Sequence, residues 1–172
     1  HSWFVITFVQ DTFKDIGSTT KEIQSKTKEQ ILETMRSSGK KVSMSQEVNM
    51  EKNSQTTETV GVENTGDKER IFGIKVKCTK RKGSTSCGNG IDEFYNAQVD
   101  KILGPTEGDV IPITLNSGTV ADTYLYTVEV YWKENSANCP DGTTKKFISG
   151  EPAPNNWYCG VYDSRSFFVT VR

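Results

Sequence analysis

Tyr124-Leu125-Tyr126-Thr127-Val128-Glu129-Val130-Tyr131-Trp132 is the stretch that decides how this chain folds. Tyr124, Tyr126, Val128, Val130 and Trp132 recur at every second position. That is the interval at which side chains of an extended strand return to one face. The period predicts a strand with these five side chains turned to a core and Tyr131 on the opposite face.

Working outward, the same alternation returns in Phe72, Ile74, Val76 and Cys78, in Ile111, Ile113 and Leu115, and in Phe167, Val169 and Val171. Val42, Met44 and Val48 carry a fainter version. Val60 and Val62 run into Asn64-Thr65-Gly66-Asp67, a strong turn signal. Weaker strands are predicted near 97–103, 145–149 and 157–162. Roughly six to eight short strands separated by turns predict an antiparallel β-sandwich over residues 40–172.

Residues 1–39 read differently. Phe8, Val9, Phe13 and Ile16 continue an apolar pattern at helical spacing, so 3–16 is expected to be helical. Thr19 and Glu22 match a capping box, and a second helix is expected from about 19 to 37, stopped at Gly39. Its apolar stripe, Ile23, Ile31, Leu32 and Met35, is narrow. Such a helix buries little by itself, which suits a solvated stalk or one member of a bundle built from neighbouring copies. The run from Trp3 to Val9 is too short to cross a bilayer, which takes about 20 residues. It has no basic start or small-residue cleavage site. It reads either as the outer end of a longer apolar helix or as an amphipathic element docked on the domain, and the stalk-like sequence after it favours the first.

The fold class expected is therefore mainly β with N-terminal α: a sandwich on an N-terminal helical stalk. Helical pattern followed by strands means segregated elements rather than a βαβ sheet. A chain of 172 residues can bury a sizeable core.

With 21 Lys and Arg against 22 Asp and Glu, the net charge is -1, which argues against a nucleic-acid binder. The basic stretch Lys75, Lys77, Lys80, Arg81 and Lys82 reads as a solvated strand face running into a turn. Four cysteines, Cys78, Cys87, Cys139 and Cys159, allow three pairings. Spacing favours Cys78 with Cys87 across a short loop and Cys139 with Cys159 across a longer one. Zinc is disfavoured, because there is no close CxxC pair and the sole histidine is His1. Two disulfides place the expected location outside the cytoplasm, extracellular or at the cell surface.

Catalysis finds little to work with. Ser86-Cys87-Gly88-Asn89-Gly90 lacks a base and reads as a disulfide-closed turn. Asp92-Glu93 and the Glu107–Asp109 pair show no calcium-loop spacing. No catalytic residue, metal or cofactor is expected. Trp157, Tyr158 and Tyr162 cluster around Cys159 after a Pro-rich loop. They read either as a minor core beneath a disulfide or as an exposed patch for a glycan or protein.

Val60-Gly61-Val62-Glu63-Asn64-Thr65-Gly66-Asp67, followed by Phe72-Gly73-Ile74-Lys75-Val76, resembles a hairpin of immunoglobulin-like domains on archaeal and bacterial surfaces. The ending Ser166 to Val171 resembles their last strand. The apolar start leading into the helix from Ser18 to Met35 resembles archaeal type IV pilin-like and archaellum-related proteins. That resemblance implies an N-terminal helix that assembles or anchors and an immunoglobulin-like sandwich that is displayed. The anchor would be Trp3, Phe4, Val5, Ile6, Phe8, Val9, Phe13 and Ile16. Expected partners are copies of the same chain or related subunits, with membrane contact at the N-terminus and no nucleic acid. The alternative is an adhesion module acting through Trp157, Tyr158 and Tyr162.

Overall fold

A computed structural model describes residues 28–84, 86–87, 94–95, 100–134, 139–140, 146–147 and 157–172. The predicted helix over 3–16, the anchor residues from Trp3 to Ile16 and the first part of the predicted second helix lie outside these. The elements are α1 (Lys28–Ser38), β1 (Val42–Ser43), β2 (Glu47–Met50), β3 (Gln55–Glu63), β4 (Arg70–Arg81), β5 (Phe94–Tyr95), β6 (Lys101–Leu103), β7 (Gly108–Asn116), β8 (Asp122–Glu134), β9 (Lys146–Phe147), β10 (Trp157–Tyr158) and β11 (Gly160–Val171).

Two sheets carry the fold. One is three-stranded, in the order β1-β3-β7. The other runs β2-β11-β8-β4-β5, with β6 also pairing to β4. A third, β9 with β10, has two short strands. Alternate side chains of the two large sheets meet in one core: Val60, Val62, Ile111 and Ile113 from the smaller, Phe72, Val76, Val128 and Phe167 from the larger. This makes the described residues a β-sandwich with a short helix. Tyr124, Tyr126, Val128 and Val130 are all buried within it, as their spacing predicts, and Trp132 packs against its margin.

The sandwich is not wholly antiparallel. β2 runs parallel to β11, Glu47 opposite Phe168 through Met50 opposite Val171. β1 belongs to the smaller sheet, where Val42 faces Val62. The chain thus switches sheets between Ser43 and Glu47 and continues in one direction, which brings it alongside the last strand in the same sense. At the start of β8 the fully buried Tyr124 donates its hydroxyl to the carbonyl of Val120 at 2.6 Å. This local tie, a tyrosine corner, secures the turn that leads from one sheet to the other.

Helix α1 is not a free-standing stalk. Ile31, Leu32 and Met35 are buried against its own chain, with Val110 of β7 packed beside them. Full burial of such side chains contributes up to roughly 1.5–3 kcal/mol each. The three-residue stripe is narrow, as the sequence indicates, but β3 offers a matching surface. Gly61 leaves room, since a Cβ there would lie 2.6 Å from Met35 Sδ and 3.2 Å from Ile31 Cγ2. The helix ends where predicted. Gly39 takes φ 70°. Its N–H donates to Arg36 O at 3.3 Å and that of Lys40 to Met35 O at 3.0 Å, a Schellman closure. Among the described residues, the boundary expected at 39/40 falls between α1 and β1.

Ion pairs fasten α1 at Lys28 and at Arg36. Arg36 Nε lies 3.2 Å from Glu63 Oε1, and Lys28 Nζ lies 2.8 Å from Asp109 Oδ1. Lys101 Nζ adds a contact of 2.6 Å to Asp109 Oδ2. Burial by itself would raise the Asp109 carboxyl, but Lys101, Lys28 and the backbone N–H of Val110 outweigh it and hold the group at about 2. A carboxyl lowered in the folded state stabilises the fold above its unfolded pKa and loses that contribution as pH falls through the folded value. Acidification from pH 5 to pH 2 should thus remove on the order of 1 kcal/mol through Asp109, after allowance for solvent screening. Burial raises the Glu58 carboxyl, which acts in the opposite sense on acidification. The check is the difference in urea stability between the parent and Asp109→Asn, followed across that window. A difference independent of pH would show that these pairs do not hold the helix.

Candidate binding site at one end of the sandwich

The disulfides join Cys78 to Cys87 and Cys139 to Cys159. The first closes the loop that follows β4, where Gly83 N–H donates to Asp122 Oδ2 at 3.1 Å. In the basic stretch, Lys77 pairs with Glu129 at 3.5 Å and Arg81 with Asp122 at 3.8 Å. Lys80 and Lys82 are exposed.

Trp157, Tyr158 and Tyr162 do not form one patch. β10 lies against the outer face of the larger sheet, where Tyr158 is buried against Tyr131 with ring centroids 5.7 Å apart. The Tyr158 hydroxyl donates to Asp100 Oδ1. Lys133, itself only 8% exposed, sits with Nζ 4.7 Å above the Trp157 ring and 5.0 Å above that of Tyr158. Asp100 neutralises it at 3.5 Å. Tyr158 thus belongs to a minor core with Tyr131 next to Cys159 of the Cys139–Cys159 bridge, while Trp157 is half-buried and covered on one face by Lys133.

Tyr162 occupies the opposite, interior face. The register of β11 on β8 slips between Val161 and Asp163, so Tyr162 is the extra residue of a β-bulge. The bulge aims its ring inward against Phe72, edge to face, at 4.8 Å between centroids. Its hydroxyl donates to Glu63 O at 2.6 Å and accepts from Thr65 N–H at 3.1 Å, so it bridges the two sheets. Thr65 Oγ1 lies 3.0 Å from the same hydroxyl.

Around this ring the structure gathers residues that the sequence pattern does not single out as a site. Arg70 begins β4 on the side shared with Phe72 and Ile74, and its guanidinium lies 4.7 Å over the Trp132 ring and 5.9 Å from the Tyr162 centroid. Lys41 Nζ approaches the Tyr162 ring from the smaller sheet at 5.0 Å. Arg70, Trp132 and Tyr162 are partly exposed, and Lys41 is exposed. Arg70 Nε is buried without an acceptor. One signal was readable: Arg70 sits two residues ahead of Phe72-Ile74-Val76 and so places a charge on the interior side of a strand. Trp132 reads as core from spacing, and it does pack there, but at the rim where one face is left for the guanidinium.

The floor of this end is rigid. Asn64 is fully buried, and its amide nitrogen reaches Lys68 O at 2.9 Å, Leu103 O at 3.0 Å and Gly104 O at 3.1 Å. Its side-chain oxygen accepts from Gly66 N–H at 3.0 Å. The Asn64 backbone also holds the facing turn, accepting from Thr106 N–H at 2.9 Å and donating to Glu107 O at 2.8 Å. Thr106 takes φ 64°, unusual for a β-branched residue, and these bonds keep it there. No three His, Cys, Asp or Glu side chains gather to hold a metal ion among the described residues.

No family model matches the chain, and no curated protein matches it. Among solved structures it is similar in outline to a CARDB domain of a Pyrococcus furiosus protein, solved in complex with di-metal ions, at 17% identity. That match covers 76% of this chain and 87% of the other, with a TM-score of 0.39. An ASH/PapD-like domain of a human protein matches at 12% identity over 77% of this chain and 84% of its own, with a TM-score of 0.35. A family 123 glycoside hydrolase from Clostridium perfringens matches at 7% identity over 73% of this chain but 22% of its own, with a TM-score of 0.43. None of the three lends a residue role to this chain.

Proposed function

We propose that the chain is a displayed, immunoglobulin-like module of an extracytoplasmic surface protein, a pilin-like subunit or a membrane-tethered accessory, which assembles or is anchored through residues upstream of Lys28. The strand order supports the immunoglobulin-like class: the orders β1-β3-β7 and β11-β8-β4 parallel the A-B-E and G-F-C groupings of that fold. The tyrosine corner at Tyr124 supports it too. Two disulfides support an oxidising compartment. No helix among the described residues is long and apolar enough to cross a membrane.

The observation that carries the reading is the docked helix. Lys28, the first described residue of the helix, pairs with Asp109 near the start of β7, so the helix is held to the sandwich where the proposed anchor segment precedes it in sequence. A flexible tether would leave the orientation of the displayed domain free, whereas a docked one passes it on. The apolar side chains from Trp3 to Ile16 are the natural contacts for neighbouring helices or lipid. The role is assembly and binding, not catalysis.

Deletion of residues 1–16 tests this by sedimentation velocity. The full chain is expected to sediment as an assembly or to partition into vesicles, and the deleted form as a soluble monomer. Identical sedimentation of the two, with no vesicle binding by either, would sink the proposal.

A second reading, an adhesion module, keeps one residue of the expected patch, Tyr162. The observation that favours it is the cationic and aromatic end of the sandwich, where Lys41 and Arg70 flank that ring.

A further inference from the structure

We propose that the end of the sandwich framed by Lys41, Arg70, Trp132 and Tyr162 binds a carboxylate-bearing saccharide, such as a uronic acid unit of an acidic glycan. The inference goes beyond the assembly role and stands whether or not the N-terminal segment anchors the chain.

The argument starts from charge. Seven cations of the described residues, among them the enclosed Lys133, have a carboxylate within 4 Å. Arg70 and Lys41 are in none of these pairs, yet both approach the same tyrosine ring. Glu134 stands opposite Arg70 across the β4–β8 ladder without forming an ion pair with it. Glu63 turns its carboxylate to Arg36 on the helix side. Two like charges close to one ring repel, and a guanidinium with Nε cut off from water lacks the partner that burial normally demands. A bound carboxylate answers both conditions. The planar guanidinium fork matches its two oxygens, and the ammonium of Lys41 adds a point charge.

Recognition of a saccharide follows from what surrounds the charge. Trp132 and Tyr162 are partly exposed beside the two cations, and the exposed Thr65 carries its Oγ1 hydroxyl next to them. A sugar ring offers C–H edges to the first and hydroxyls to the second, while an acidic peptide would use the charge and leave the rings idle. The frame is fixed in advance. Asn64 pins the turn that carries Thr65, and Arg70 lies beneath Gly66, where a Cβ would come within 2.9 Å of Cζ. A single unit contacting a few side chains binds weakly, and repeated display along an assembly would add avidity.

Calorimetric titration of the full chain in low salt tests the site, with a trigalacturonate as the acidic probe. Neutral galactotriose and a glutamate-rich peptide serve as controls. The acidic saccharide is expected to bind with Kd on the order of 0.1–1 mM. Affinity should fall about tenfold in Arg70→Gln, about threefold in Lys41→Gln, and at least threefold in 0.5 M NaCl. Lys41 is exposed and outside every ion pair given above, so its variant keeps the decision available should Arg70→Gln fail to fold. Heat silence at 10 mM probe, equal affinity for the neutral sugar, or unchanged affinity in Lys41→Gln each overturns the proposal. Binding of the peptide without the saccharide would assign the site to a protein partner instead.

Discussion

Replacement of Asn64 by alanine is expected to lower the unfolding free energy by about 3–4 kcal/mol. The size follows from what one small amide does. Its two N–H groups are shared among the carbonyls of Lys68, Leu103 and Gly104, and its oxygen accepts from Gly66 N–H. Alanine leaves the buried carbonyl of Leu103 and the part-buried one of Gly104 without that donor, at about 1–3 kcal/mol for a buried group and less where water enters. Asn64→Asp separates shape from chemistry: it keeps the acceptor for Gly66 but turns an oxygen toward three carbonyl oxygens, and should be at least as damaging. Urea unfolding followed by circular dichroism gives the answer. A shift of less than about 1 kcal/mol for Asn64→Ala would mean that the two loops are held by their own backbone bonds.

Conversion of Cys139 and Cys159 to serine together is expected to destabilise the fold by about 3–4 kcal/mol. The bridge closes a separation of 20 residues, for which chain entropy alone gives about 3 kcal/mol. The remainder is local. Cys159 is 1% exposed, and its N–H donates to Trp132 O at 2.7 Å. Tyr158, the next residue back, covers Tyr131 and engages Asp100. β10 pairs with the two-residue β9, and the bridge closes the base of the chain segment that carries both. The matching change at Cys78 and Cys87, a separation of 9, should cost about 2–3 kcal/mol. Comparison of the two double variants under oxidising conditions, with the parent in dithiothreitol, separates the contributions. An undisturbed Tyr131–Tyr158 packing in the first variant, seen in near-ultraviolet circular dichroism, would show that the outer layer needs no tether.

The period-two runs placed β3, β4, β7, β8 and β11 well because each strand shows one face to a common core, so burial and spacing repeat together. The helix stop at Gly39 was legible for a similar local reason: a left-handed closure favours glycine. Docking of α1 was not legible. A stripe of Ile31, Leu32 and Met35 looks too thin to hold a helix until the space over Gly61 is known. The parallel pairing of β2 with β11 was equally hidden, since alternation carries no direction. Among the aromatics, sequence adjacency put Trp157, Tyr158 and Tyr162 together, and a one-residue bulge sent Tyr162 to the other face.

By itself, the sequence settled which residues could be core, where the strands break and which compartment chemistry the cysteines suit, because those properties depend on spacing and composition along the chain. Only the tertiary structure decided that Arg70 and Lys41 meet at Tyr162, because they come from different sheets and from places 29 and more residues apart in the chain. Charge placement across a sandwich is set by register and by one bulge, and neither leaves a mark in the hydrophobic pattern.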